Sequence, residues 1–539
     1  MTIDWKKEVE LRKEDLLKDL FTLLRIDSVR DDSKATEDAP VGPGPKEALE
    51  AFLAIGERDG FTTKQVGNLA GHIEFAPNPD YKETLGVLGH VDVVPVGTGW
   101  DTDPFEPQII NDRIYARGSS DDKGPSMAAY YALKIIKELG LPVSKRVRFI
   151  IGTDEESGWK CMDRYFQTEE MPDFGFSPDA TFPIINGEKG ILSLHYDIPG
   201  EVAEGDYQLL SFDAGLRENM VPQDAHAEIV VPNADEVVDR FLAYVAANPV
   251  EGSAQVLDGK VILDVVGKSA HGSTPDKGIN AGTHLAKFLN QFNFKGNAKK
   301  YLAFAAEVLH EDTDGKNLKV DYNHEVMGPL TANAGIFTYT PELGGVAVVN
   351  FRYPLGVTAE GLEIKTEVVA SGYGFTVAHG KAQVPHYVSP EDELVSTLLD
   401  VYHRQTGLPA HEQSIGGGTY GRIFERGVAY GALFPDSIDT MHQANEFFAL
   451  NTKDNNWKKP DYKSLAERYD PFLLTAVKNI RNSIASSPKP TLSYLAERNM
   501  TTEDKALYHY LVHRSYMLEL SYIAVSYTHL RAHETDSYL

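Results

Sequence analysis

Leu85-Gly-Val-Leu-Gly-His90-Val-Asp92 and Val147-Arg-Phe-Ile-Ile-Gly-Thr-Asp-Glu-Glu156 are two short apolar runs, each ending on imidazole or carboxylate side chains. Runs of this length, glycine-bounded and rich in β-branched residues, read as buried strands. Between them residues 125–139 carry helical spacing, with Pro125 in a first turn that tolerates a missing N–H and Gly140 and Pro142 closing the far end. Strand, helix, strand is the rhythm of an α/β layer: a central mixed sheet flanked by helices. Such sheets place ligands beyond the carboxyl ends of their strands. His90, Asp92 and the acids Asp154, Glu155 and Glu156 fall at those ends.

Outward from this core the texture changes. After about Glu188 come strand-like segments around Leu209, Ala227 and Val261 and helical stretches at 234–246 and 282–292, the pattern of an α+β domain. The α/β character returns near Pro385, so the second domain reads as inserted into a discontinuous first one. The expected organisation is residues 1–187 and 386–485 for the catalytic domain, 188–385 for the inserted lid domain, and 486–539 for a tail. A chain of 539 residues exceeds what one core usually supports, in agreement. The tail is tyrosine-rich and polar, and its Leu495-Ala-Glu-Arg498 echoes Leu465-Ala-Glu-Arg468. It suggests no role, and its last run from Ser526 is as consistent with a sequencing or assembly artefact as with evolved protein.

Composition narrows the function. With 42% hydrophobic and 24% charged residues the chain reads as an ordinary globular protein. A formal charge of −27 opposes binding to a phosphate backbone or an anionic membrane. The single cysteine, Cys161, excludes an internal disulfide and fits a reducing compartment. Residues 1–25 read as an amphipathic helix through Leu16, Leu17, Leu20, Leu23 and Leu24, and no signal peptide fits there. No uncharged apolar run reaches the roughly 18 residues of a spanning helix. A cytoplasmic protein is expected, with no nucleic-acid or membrane partner.

Five clusters carry the candidate chemistry. His90 and Asp92, two apart, share a face of a strand, so the carboxylate can orient the imidazole; a structural histidine is the plainer alternative. Arg117-Gly-Ser-Ser-Asp121-Asp122-Lys-Gly124 leads into the helix, and one acid there would serve as a cap, leaving the second unexplained. Asp154, Glu155 and Glu156 repel one another unless solvated or set beside a cation. Ser177-Pro-Asp179 and Met441-His442-Gln-Ala-Asn-Glu446 are unremarkable singly.

In this order, the five clusters resemble the aminoacylase and carboxypeptidase family of dinuclear zinc metallopeptidases, most of all its bacterial carnosinase-like dipeptidase branch, as far as about Leu450. The resemblance implies that Asp121 bridges two metal ions, that His90 and Asp179 complete one site and that Glu156 and His442 complete the other. Nitrogen and carboxylate ligands without thiolate suit two zinc ions, with cobalt or manganese as substitutes. The resemblance also makes Glu155 the general base, taking a proton from the attacking water and passing it to the leaving amine, while Asp92 orients His90.

In the inserted domain, Gly267-Lys-Ser-Ala-His271-Gly resembles the family's lid motif, whose histidine polarises the scissile carbonyl. Asn219 and Arg352 resemble its substrate contacts, with Arg352 forking onto the peptide carboxylate or, more plainly, engaged in a surface ion pair. Gly416, Gly417 and Gly418 resemble a loop pressed against substrate, or serve as a hinge; the Lys-Ser or Lys-Thr of a phosphate loop does not follow them. His509 and His513, then His529 and His533, have zinc-helix spacing but lack the accompanying glutamate, so no metal is expected there. The expected activity is hydrolysis of unblocked dipeptides, with a small peptide as partner. An N-acyl amino acid deacylase or carboxypeptidase on the same scaffold is the close alternative, and a peptide-binding protein without catalysis the distant one. The enlarged lid implies a monomer, with a homodimer as the alternative.

Overall fold

The computed structural model describes residues 3–380 and 382–450. The expectations for the tail, the Leu465 and Leu495 echo, the histidine pairs from His509 onward and the part of the returning segment beyond residue 450 lie outside the described residues.

Two sheets organise the chain. The first has six strands in the order Thr62–Val66, Ala70–Phe75, Arg146–Gly152, Thr84–His90, Phe174–Ser177 and Gly427–Ala429. The last four run parallel to one another and the first two antiparallel, the mixed sheet read from the sequence. Period-two alternation sends Phe149 and Ile151 into a core with Leu23, Phe52 and Tyr130 from the helices on one face, while Ile150 packs on the other face with Met162, Tyr165 and Tyr420. Apolar side chains on both faces explain why these strands read as continuous hydrophobic runs.

The N-terminal stretch forms two helices, Trp5–Glu10 and Lys13–Leu24, instead of one. All the leucines of the expected apolar stripe lie in the second; the first buries nothing, and Arg12 at the break bonds Glu138 and Glu8. The helix expected at 125–139 is Lys123–Glu138.

The second sheet has eight antiparallel strands in the order Glu251–Leu257, Lys260–Val266, Asp224–Val230, Gln208–Ala214, Thr331–Thr340, Gly344–Tyr353, Gly190–Pro199 and Thr376–His379. Helices Ala234–Ala247, Ala281–Leu289, Gly296–Ala303 and Ala359–Ser371 cover its apolar face around Phe212, Phe241, Tyr301 and Phe337. Asn233 and Asn280 cap two of these helices, each accepting an N–H from the first turn. The chain passes between the sheets at Gly187–Glu188, which pairs with His386–Tyr387 on one side and Ser414–Ile415 on the other. Among the described residues no helix is long and apolar enough to cross a membrane.

Candidate metal centre

Parallel strands align their carboxyl ends, and three adjacent strands bring the motifs together. His90 is in register with Gly152, where the strand ends and the chain turns through Glu155 and Glu156. Val87 is in register with Phe176, and three residues further along the two strands come His90 and Asp179. Asp121 arrives from the turn before the Lys123–Glu138 helix, and His442 from the loop after the sheet's last strand.

His90 Nε2 lies 3.1 Å from Asp121 Oδ1 and 3.5 Å from Asp179 Oδ2. The other oxygen of Asp121 lies 2.9 Å from His442 Nε2, which is 3.1 Å from Glu156 Oε2. One carboxylate therefore spans two imidazoles, with Asp179 on the His90 side and Glu156 on the His442 side. His90, Asp121 and Glu156, and again His90, Glu155 and Asp179, present donor atoms within 4.8 Å of one another.

Charge decides what this cluster can hold. His90 is fully buried and its Nδ1 is 3.0 Å from the Asp92 carbonyl. With Nδ1–H donating there, the Nε2 lone pair of a neutral ring would face two carboxylate oxygens, an arrangement that requires a proton or a cation between them. Burial pulls His442 down, but its contacts with Asp121 and Glu156 outweigh this and lift it to about 11. Burial, then the charge of Asp121, pushes Glu156 up to about 7. Glu155 is raised well above the usual range by burial, with Asp179, Glu156 and Asp121 adding against the pull of His90. So many acids in one dry space repel, and bound cations offset that repulsion. The donor set, imidazole nitrogen and carboxylate oxygen, fits zinc-class divalent ions.

Several side chains make contacts that the sequence did not reveal. The Asp92 carboxylate accepts the amide N–H groups of Glu155 and Glu156, both at 3.1 Å, and is 3.4 Å from His90 Nδ1, which its own carbonyl approaches more closely. It holds the acidic loop as much as the ring. Asp154 turns away to Arg30 at 2.7 Å, so the acidic triplet is not a solvated run. Asp122 stands at the helix N-cap without capping it; Oδ2 instead accepts from His90 N at 3.1 Å and Ser126 Oγ at 2.6 Å. Glu446, fully buried, accepts from Arg117, Gly118 N, Ser120 N and Asp121 N, and so ties the His442 segment to the Asp121 turn. Its place in the His442 motif was the available signal.

The second sheet contributes its own residues. Asn219 and His271 are neighbours: Met220 bridges His271, and Gly272 N donates to Asn219 O at 2.7 Å. Burial, then the charges of Arg352 and His442, lowers His271. Arg352 is 4% exposed, bonds Asn350 Oδ1 and the Gly416 carbonyl, and has no carboxylate partner among the described residues, contrary to the surface ion-pair alternative. Gly416 also sits against the His271 loop, where a Cβ would come within 2.7 Å of Ser273 Cβ. Gly418 faces Arg422, while Gly417 has room around it. Glu188 anchors the end of the glycine run through Thr419 N at 3.1 Å and Thr419 Oγ1 at 2.7 Å.

All of these residues except Arg30 fall within 86–455, the stretch matched by the model of peptidase family M20/M25/M40. The chain belongs to that family, as the motif resemblance implied. It is 46% identical over 447 residues, covering 82% of this chain and 95% of the relative, to the protein named "Putative dipeptidase SAR1836" of Staphylococcus aureus (strain MRSA252). Among solved structures it is similar to human carnosine dipeptidase 1, at 14% identity over 82% of this chain and 94% of that one, with a TM-score of 0.47. The aminoacylhistidine dipeptidase of Vibrio alginolyticus matches at 15% identity over 82% of this chain and 95% of that one, also with a TM-score of 0.47.

Proposed function

We propose that the chain is a cytoplasmic, monomeric metallodipeptidase that hydrolyses dipeptides with free amino and carboxyl ends, using two zinc ions. The observation that carries this reading is Arg352, buried, bonded to the Gly416 carbonyl of the glycine loop and without a carboxylate partner among the described residues, while that loop also rests against the His271 turn at Ser273. A cation without a counter-ion in a dry site favours a ligand carboxylate, and a fixed carboxylate anchor limits substrate length. The dipeptidase name of the staphylococcal relative supports the same substrate class. We assign residues 1–187 and 386–485 to the catalytic domain and 188–385 to the lid.

In this reading His90, Asp121 and Asp179 would hold one ion, and Asp121, Glu156 and His442 the other. Bound there, the ions supply Lewis acidity and make a water acidic enough to be deprotonated near neutral pH. Glu155 would take a proton from the attacking water and return it to the leaving amine. His271, kept neutral by its surroundings, donates to the oxygen of the scissile carbonyl as negative charge develops. Arg352 and Asn219 orient the peptide, and the backbone of Gly416–Gly418 closes over it. Asp92, Asp122 and Glu446 position the loops that carry these groups.

The test compares cleavage of an Ala-Xaa dipeptide with its N-acetylated form, with and without a chelator. Chelator-sensitive cleavage of the free dipeptide alone is expected. Cleavage of only the acetylated form would make the protein a deacylase, and absence of both would leave a binding protein.

A further inference from the structure

We infer that the inserted α+β region carries a separate divalent-cation site built from His284, His310 and Glu311. Their donor atoms lie within 4.8 Å of one another and share no residue with the centre at the strand ends. His284 belongs to the Ala281–Leu289 helix, and His310 follows the π-helical turn Phe304–Val308 that packs against it.

Both imidazoles are arranged as ligands usually are. His284 Nδ1 is 3.3 Å from the Tyr244 hydroxyl, and His310 Nδ1 is 3.2 Å from the Thr283 hydroxyl. The Thr283 hydroxyl donates to the Asn280 carbonyl at 3.2 Å, so it accepts from His310 Nδ1–H and leaves His310 Nε2 with its lone pair available. The rings meet edge to face with centroids 4.7 Å apart. His310 Nε2 is buried with no hydrogen-bond partner among the described residues, and its side chain is 4% exposed. Buried polar atoms without partners are uncommon and call for an occupant or an explanation. The nearest carboxylate oxygen, Glu311 Oε1, is 3.9 Å away on a side chain 71% exposed and free to close. Donors around a tetrahedral zinc sit roughly 3.4 Å apart at zinc–ligand distances of about 2.1 Å, so a small torsional change of Glu311 suffices.

The electrostatics agree with neutral ligands. Burial, then His284 and Lys287, pushes His310 down to about 3, and burial likewise lowers His284. Lys287 opposes a cation but is itself exposed, and the Glu311 carboxylate acts on His284 in the opposite sense. Two nitrogens and one carboxylate oxygen select zinc or a similar divalent ion, with water completing the shell. Such an ion would pin the Ala281–Leu289 helix to the segment after the π-helical turn.

Full-length wild type, His310→Ala and Glu311→Gln proteins are titrated with zinc against a chelating dye, and dipeptide turnover is followed in parallel. The wild type should bind one more zinc per chain than His310→Ala, and Glu311→Gln should bind that ion at least tenfold more weakly, with turnover equal in all three. Equal zinc stoichiometry and affinity in the wild type and both variants overturns the site. A loss of zinc that tracks a loss of turnover also overturns it, because the ion would then belong to the strand-end centre. Should His310→Ala not fold, the exposed Glu311→Gln change alone decides.

Discussion

The six-stranded sheet and the eight-stranded sheet meet opposite problems. In the first, parallel strands point their carboxyl ends at one spot and fill it with Asp92, Asp121, Asp122, Glu155, Glu156 and Asp179 around two histidines. In the second, strands alternate direction, one face packs into an apolar core, and the functional residues sit where a strand ends or a loop turns. The difference teaches that direction of strand, as much as residue type, decides where charge can be concentrated. It also explains the division of chemistry: the parallel sheet holds anions, while the antiparallel one offers a neutral imidazole, an amide and a buried guanidinium.

The largest effect should break the parallel sheet's side of that comparison. Glu155→Gln should lower kcat by about 10³- to 10⁴-fold, the upper range for proton transfer by a positioned group, while metal content measured by mass spectrometry stays unchanged. Retained turnover would remove Glu155 from the mechanism. His271→Ala tests the antiparallel side, with an expected fall in kcat of about 10²- to 10³-fold for a lost oxyanion donor. If only KM moved, the residue would be a binding contact and not a partner of the developing charge.

Glu446→Gln sharpens the comparison, since it touches no substrate. It sets an NH2 group against amide donors in the Asp121 turn, and metal affinity should drop by about 10- to 100-fold, as for other groups that orient ligands. Unchanged affinity would mean that the turn holds its shape without it. The smallest effect concerns His72, buried in the six-stranded sheet with Tyr165 Oη at 2.6 Å. Burial, then Arg148, lowers its pKa from 6.5 to about 4. A depressed folded-state value means that this stabilisation is complete above pH 6.5 and is lost as pH falls through about 4, a change of roughly 3 kcal/mol. His72→Gln should flatten the slope of unfolding free energy between those values in urea titrations, and an unaltered slope would rule His72 out as its source.

Much of the site was legible because strand-end motifs are local. The apolar run before His90 and the run before Glu155 announce both the strand and the place where it stops. Asp122, Glu446 and Glu188 were not legible in the same way. Each carboxylate finds its partners only after distant segments meet: Glu446 bonds a turn more than three hundred residues earlier, and Glu188 bonds Thr419. A capping aspartate and an aspartate that clamps a strand end look alike in sequence, and only the Ser126 and His90 contacts of Asp122 separate them.

Sequence by itself determined the α/β rhythm, the inserted second region and the identity of the candidate ligands, because periodicity and turn chemistry act over a few residues. Tertiary structure alone decided which strands run parallel, which carboxylates face His90 and His442, and that Arg352 is buried without a counter-charge among the described residues. Those outcomes depend on register and on desolvation, and both arise only when segments far apart in the chain come to share one dry space.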